Sequence, residues 1–446
     1  MLCARKGHFT HQEEDTVATS SQPTSRSQHA PASVARQLDD LIAPIFGTLP
    51  IRLRAWDGSE VGPPDAPVVT LRSRDALRRL VFHPGELGLA QAYVTGDLDI
   101  EGDVLDGFRR VWTAVRERDL GGRPPLGVFA AGARTAFRLG VVGPPPPPPD
   151  SQARLRGRLH SVLRDRAAIA HHYDLSNDFY ELILDPHMAY SCGYWTSDDP
   201  SYTGADAQRD KLVLVCRKLG LRSGMRMLDV GCGWGSLSLY AAEHFDVEVV
   251  GVTLAKEQRD FVQQRIDERG LANIEVRHQD YRDVVDGPFD AVSSIEMGEH
   301  VGLANYPRFA AQLHRLLEPR GRLLIQQMSR RTHRGGGAFI EAFIAPDMDM
   351  RPVGETVELL ESAGLEVRDV HAMREHYVRT IQEWYDTFES RWDDAVALVG
   401  EEVARVWRLY MVGAALSFEE GRMGVDQILA TKSTVGHSGM PAVRDF

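Results

Sequence analysis

The chain is poor in cysteine. Four residues, Cys3, Cys192, Cys216 and Cys232, show neither C-x-x-C spacing nor histidines at zinc-ligand intervals, which argues against a disulfide framework and a structural zinc and fits a reducing cytoplasm. Positive charge is also short: 51 Lys and Arg against 63 Asp and Glu give a formal net charge of −12. No general basic field exists for nucleic acid, and a partner bound by charge has to meet a local patch. Long apolar runs are missing. No stretch approaches the ~18 apolar residues of a membrane span, and MLCARKGHFTHQEEDTVATS holds no apolar segment ahead of its acidic cluster, so neither an export signal nor a span is expected. What remains is an ordinary globular composition, 43% hydrophobic over 446 residues, long enough for two or three domains.

Residues 1–32 are rich in Ser, Thr, Gln and His and have little to bury, so a disordered tail is expected. Residues 33–140 become globular, with a helix over ARQLDDLIAPIF, strand-like alternation in IRLRAW and APVVTLRS, and a helical stretch through LGLAQAYVTGDLDIEG. This predicts a smaller α+β N-terminal domain with a lipid-binding or accessory role. Pro144 to Pro149 interrupt the chain with an uninterrupted proline run, a stiff spacer inside a linker over 141–152. Five arginines follow, Arg154, Arg156, Arg158, Arg164 and Arg166. They suit either a solvated helix face or an anionic lipid surface. Residues 153–446 form the expected catalytic domain. From Met225, the runs MRMLDV, VEVVGVT, IEVRHQ, FDAVSSI and GRLLIQQ alternate with helical segments, the pattern of a doubly wound α/β sheet. The segment over 335–430 is expected to cover the open end of that sheet.

A strand ending in Asp229, then Gly231-Cys232-Gly233-Trp234-Gly235, then a helix, presents backbone N–H groups to a ligand at a helix N-terminus. Taken alone, these glycines also suit a plain tight turn. Two features favour S-adenosylmethionine over a dinucleotide. Ser236 stands where a G-x-G-x-x-G fingerprint wants its third glycine, and the next strand ends at Thr253 instead of the acid that would hold a nicotinamide ribose. Thr253 and Gln258 are placed to meet the ribose or base edge, and Asp280 and Tyr281 to bond and flank an adenine.

Reading outward, HHYDLSNDFYELILDPHMAYSCGYW, MRMLDVGCGWGSLSLYAAEHFDVEVVGVTLAKEQ, QDYRD, EHVG and HYVRTIQEWYDTF occur in order and resemble the cyclopropane-fatty-acyl-phospholipid synthase family. The resemblance covers roughly residues 168–430 and implies a seven-stranded methyltransferase sheet. It implies that Tyr173, Ser191, Gly231, Gly233, Thr253, Gln258 and Tyr281 contact the methyl donor, with Asp229, Gly235 and Asp280 beside them. It also implies that Cys192, Glu299 and Tyr385 hold a bicarbonate ion acting as the base. A lone buried cysteine is otherwise a small core residue, whereas a buried acid such as Glu299 needs a partner in any case.

A sulfonium methyl attacked by an alkene leaves a carbocation, which calls for a dry pocket, π faces and a base. Tyr194, Trp195, Tyr377, Trp384 and Tyr385 are the aromatic candidates for its walls. Glu299 and bicarbonate, both anions, would have to share a proton. The sequence departs from the family twice: Gln326 stands where many members have a histidine that helps bind bicarbonate, and Gly298 where a phenylalanine is frequent. Both are expected to affect the second half of the reaction. The implied protein is a C-methyltransferase of unsaturated phospholipid acyl chains, making a cyclopropane or a mid-chain methylene branch. It would be cytoplasmic and peripheral on an anionic membrane, without nucleic acid; a homodimer is an assembly this reading allows. The rivals are a small-molecule methyltransferase and a non-catalytic lipid-binding protein.

Overall fold

The computed structural model describes residues 33–47, 49–117, 126–153, 176–332, 335–444 and 446. The N-terminal part runs α1 (Val34–Phe46), β1 (Arg52–Arg54), β2 (Glu60–Val61), β3 (Val68–Leu71), α2 (Arg74–Phe82), α3 (Glu86–Val94), β4 (Leu98–Glu101), α4 (Val104–Glu117) and α5 (Leu126–Arg138). Its four strands lie in the order β2-β1-β3-β4 over a core of Leu38, Leu53, Leu71, Tyr93 and Leu98. One expected helix divides. α3 stops at Val94, Gly96 takes a left-handed φ of 74°, and the alternating segment Leu98–Glu101 becomes a strand beside β3. Glycine tolerates that φ without a steric penalty, so helix gives way to turn and strand.

The larger part begins with α6 (Asn177–Ile183), capped by the Ser176 hydroxyl, and α7 (Gly204–Leu219), which opens on a Thr203/Asp206 capping box. It continues with β5 (Arg226–Val230), α8 (Ser236–Phe245), β6 (Glu248–Thr253), α9 (Lys256–Arg269), β7 (Ile274–His278), β8 (Phe289–Ile295), α10 (Tyr306–Leu316) and β9 (Leu317–Arg330). After these come α11 (Val353–Ser362), β10 (Glu366–Ala372), α12 (Arg374–Ser390), α13 (Trp392–Val399), α14 (Glu401–Glu419) and β11 (Met423–Thr431). The sheet order is β10-β11-β9-β8-β5-β6-β7. β5 to β9 pair in parallel, while β11 inserts antiparallel between β9 and β10. The strands β5, β6 and β8 are buried along nearly their whole length, as helices on both faces require. The chain order reverses between β5 and β8, which places the ligand crevice at their C-terminal ends.

Segment 335–430 caps that end and also completes the sheet. α12 and α14 join α6 around Phe179, Tyr180, Trp384, Trp407 and Phe388, and Val104 and Leu105 of α4 enter the same core. Arg405 bonds Asp99 at 3.1 Å and Arg109 bonds Glu419 at 2.5 Å, tying α14 to the N-terminal part. The proline run is tied too: Arg79 donates to the Pro147 carbonyl at 2.9 Å, and the Ser151 amide donates to Glu402 at 2.7 Å. Among the described residues no helix is long and apolar enough to cross a membrane.

Candidate active site

The turn after β5 holds three left-handed glycines, with φ of 76° at Gly231, 54° at Gly233 and 78° at Gly235. The amides of Gly231 and Cys232 both donate to the Val252 carbonyl, at 2.9 and 3.1 Å, which fastens the turn to β6. A Cβ on Gly231 would lie 2.8 Å from Met297, and one on Gly235 2.9 Å from Val262, whereas Gly233 faces open space. Gly231 and Gly233 therefore line the cavity, and Gly235 serves helix packing. Asp229 is buried with both oxygens occupied, by Ser238 and Ser293 at 2.7 Å each.

The cleft encloses about 1280 Å³, partly open to solvent. On its far side Thr253 donates to Gln258 at 2.8 Å, and Tyr281 adds a ring. Asp280 turns elsewhere: its carboxylate takes the backbone amide and guanidinium of Arg282 at 2.6–3.0 Å. Arg282 and Gln279 occupy the wall instead. Ser191 lines the near side and accepts from Lys211 Nζ at 2.9 Å. Lys211 is 1% exposed, and its burial lowers the ammonium's affinity for its proton against the pull of Glu296 and Asp185. Tyr173 lies outside the described residues.

The four residues tied to bicarbonate do not come together as a set. The Cys192 amide and Gln326 Nε2 converge, each 2.9 Å from Glu296 Oε1, and the Tyr377 hydroxyl donates to Glu296 Oε2 at 2.6 Å. Strand register explains Gln326, which pairs with Ile295 on one side and Gln427 on the other. Its oxygen accepts from Gln427 at 2.9 Å, which turns its nitrogen towards Glu296. The Cys192 thiol points at the Gly193 carbonyl, 3.3 Å away, and burial raises its pKa well above the usual thiol value, so the backbone supplies this donor. Tyr385, two helical turns beyond Tyr377, lies beside Leu105, Glu389 and Arg408. The expectation that Tyr385 shares this seat gives way to Tyr377, because Tyr385 stands ~12 Å further along the helix axis and reaches the Leu105 neighbourhood instead of Glu296.

Glu299 is 1% exposed and shares none of the three donors that hold Glu296. Its Oε1 accepts from the Met328 amide at 2.5 Å and its Oε2 has no partner among the described residues. Burial first, and then the Glu296 charge, push it up to about 8. Gly298 does not open the cavity: a Cβ there would meet Gln327 Oε1 at 2.2 Å. Of the aromatic candidates, Tyr377 reaches the seat and Trp384 backs Tyr190, which lines the cavity, with ring centroids 5.3 Å apart. Tyr194 and Trp195 pack instead against His376 and Tyr202. Sequence reasoning missed Glu296, Lys211 and Tyr190. The signal was Glu296 itself, an acid placed directly after an apolar strand.

The model of the mycolic acid cyclopropane synthetase family matches residues 160–428. A probable fatty acid methyltransferase of Mycobacterium tuberculosis is 39% identical over 395 residues, 86% of this chain and 92% of that one. The cyclopropane-fatty-acyl-phospholipid synthase of Escherichia coli K12 is 32% identical, over 82% of this chain and 87% of its own. Among solved structures, a mycolic acid cyclopropane synthase complexed with SAH and CTAB superposes with a TM-score of 0.56 at 34% identity, covering 59% of this chain and 97% of that one.

Proposed function

The chain belongs to the mycolic acid cyclopropane synthetase family, and from that membership we propose that it transfers the methyl of S-adenosylmethionine to a double-bond carbon of an unsaturated phospholipid acyl chain. The observation that carries this reading is the meeting, in one cleft, of a glycine turn that suits the donor with a buried, hydrogen-bonded carboxylate and the Tyr190 ring. An N- or O-methyltransferase also has use for a base, but its nucleophile carries its own lone pair and leaves no carbocation for a π face to stabilise.

In this reading Gly231 and Gly233 let the donor approach the backbone, and Thr253, Gln258 and Tyr281, which line the same cleft, hold its ribose and adenine. The alkene pair forms the new carbon–carbon bond as the sulfur–methyl bond breaks and its electrons stay on sulfur. The cation left on the neighbouring carbon has to be kept from water, by the bound acyl chain as well as the walls, and Tyr190 offers it a π face. Loss of a proton from the added methyl with ring closure gives a cyclopropane. A second product, the mid-chain methylene branch, needs a hydride shift first. An anionic membrane surface as partner belongs to this proposal, and Arg154, Arg156 and Arg158 lie outside the described residues.

Purified protein incubated with unsaturated phospholipid vesicles and isotopically labelled methyl donor should yield acyl chains gaining one labelled carbon. Proton NMR of the released esters separates ring from methylene products. Absence of label in any unsaturated lipid, with label in a small amine or alcohol instead, overturns the reading.

A further inference from the structure

We propose that Glu296 is the base of this reaction and occupies, as part of the chain, the seat that the family resemblance gives to a bicarbonate ion. The inference rests on the acyl-methylation reading above. Three donors from three different segments converge on one carboxylate: the Cys192 amide from the loop before α7, Gln326 from β9 and Tyr377 from α12. They are the groups that would hold a small oxyanion, and Glu296 has already taken all three. A bicarbonate placed beside it would lack donors and would meet a second buried negative charge.

The backbone is bent to put the carboxylate there. Glu296 has φ of +49°, in the left-handed region, and its amide is held by the Gln326 carbonyl at 2.6 Å. A non-glycine residue kept in that conformation is costly and persists where the surroundings impose it, most often at functional sites. The carboxylate lines the cavity beside Gly231 and Met297. Of its about four lone-pair directions three are used, which leaves one for an incoming proton.

Every titratable neighbour suits the role. Lys211 on α7 supplies the compensating positive charge. Burial and the Glu296 charge keep Cys192 and Tyr377 protonated, Tyr410 is raised in the same way, and Glu299 is raised to about 8. Burial raises Glu296 as well, but the hydrogen bonds from Tyr377, Cys192 and Gln326 and the charge of Lys211 oppose that rise, and this carboxylate alone of the set is held by three donors. In the proton-loss step, the bond broken is a C–H of the transferred methyl. The proton goes to a Glu296 oxygen and the electron pair forms either the third ring bond or, after the hydride shift, the methylene double bond. Glu296 ends as a neutral acid and returns its proton to water on product release.

Rates measured in carbon-dioxide-depleted buffer and with added bicarbonate should be equal for the wild type, and bicarbonate should leave its melting temperature unchanged. Glu296→Gln should lower product formation by about 10²–10⁴-fold, the usual worth of a positioned base, while calorimetry shows S-adenosylhomocysteine still bound. Glu296→Ala opens the seat, so bicarbonate or formate should raise its melting temperature and restore activity saturably. A wild type that makes product only with bicarbonate, or Glu296→Gln at full rate, overturns the proposal even if the acyl-methylation reading stands. If no unsaturated lipid is methylated by the wild type, it is that reading which fails; wild-type stabilisation by bicarbonate then still overturns the proposal separately. Should either variant not fold, the wild-type bicarbonate arms decide alone.

Discussion

Glu299 shows how burial separates two acids three positions apart. Burial raises both, but three donors oppose it at Glu296 and one at Glu299; burial, then the Glu296 charge, therefore push Glu299 up to about 8 against an ordinary 4.5. Below about 4.5 folded and unfolded chains both hold this proton. Between about 4.5 and 8 only the folded chain holds it, so stability falls as pH rises across that window. Thermal melts from about pH 5 to 8 should show a decline that Glu299→Gln flattens; equal slopes in both proteins would remove this account. Gly298, three positions from Ile295, has a role the sequence reading did not give it. Its lack of a side chain makes room for Gln327, whose oxygen accepts from Tyr306 at 2.7 Å and whose nitrogen donates to Thr356 at 2.9 Å.

The strand–turn–helix element at β5 and α8 was readable because both of its devices are local. Glycine alone takes positive φ freely, and a helix N-terminus always presents unsatisfied amides. Gly231→Ala joins a disfavoured φ of 76° to a contact of 2.8 Å with Met297. Calorimetry should show at least a tenfold loss of S-adenosylhomocysteine affinity, about 1.4 kcal/mol, whereas unchanged affinity would mean that Met297 yields. α12 was read less fully. HYVRTIQEWYDTF places tyrosines at 377 and 385 on an apolar helix, and periodicity makes both buried. Only the docking of that helix against α14, α6 and β11 assigns Tyr377 to Glu296 and Tyr385 to the contact with Leu105. Residues 335–430 were likewise expected as a cover, yet they also furnish β10 and β11. The antiparallel insertion of β11 brings Gln427 beside Gln326 and so orients the seat.

At the scale of the molecule, the N-terminal part is bound into the catalytic core. The mycolic acid cyclopropane synthase structure compared above covers 59% of this chain, and α4, outside the matched family segment, contributes Val104 and Leu105 to the aromatic core under α12. Leu105→Ala is expected to cost about 2–5 kcal/mol, as for other fully buried leucines, measured by urea denaturation. A cost near zero would show that the two parts fold without each other. The proline run contributes to the same union, because its carbonyl and flanking amides are taken up by Arg79 and Glu402.

The sequence by itself determined what depends on near neighbours along the chain. It fixed the alternation that makes a doubly wound sheet, the three-glycine turn, and Thr253 and Gln258, five residues apart, on one wall of the cleft. Ser236 and Thr253 favoured the methyl donor over a dinucleotide, and ordered motifs added the family. Only the tertiary structure decided which acid carries the seat, because that choice depends on donors at positions 192, 326 and 377. No local periodicity links residues so far apart in sequence. Hydrogen bonding and burial act through space, so Glu296 becomes the carboxylate held by three donors and Glu299 the one held by a single amide only after β8, β9 and α12 have met.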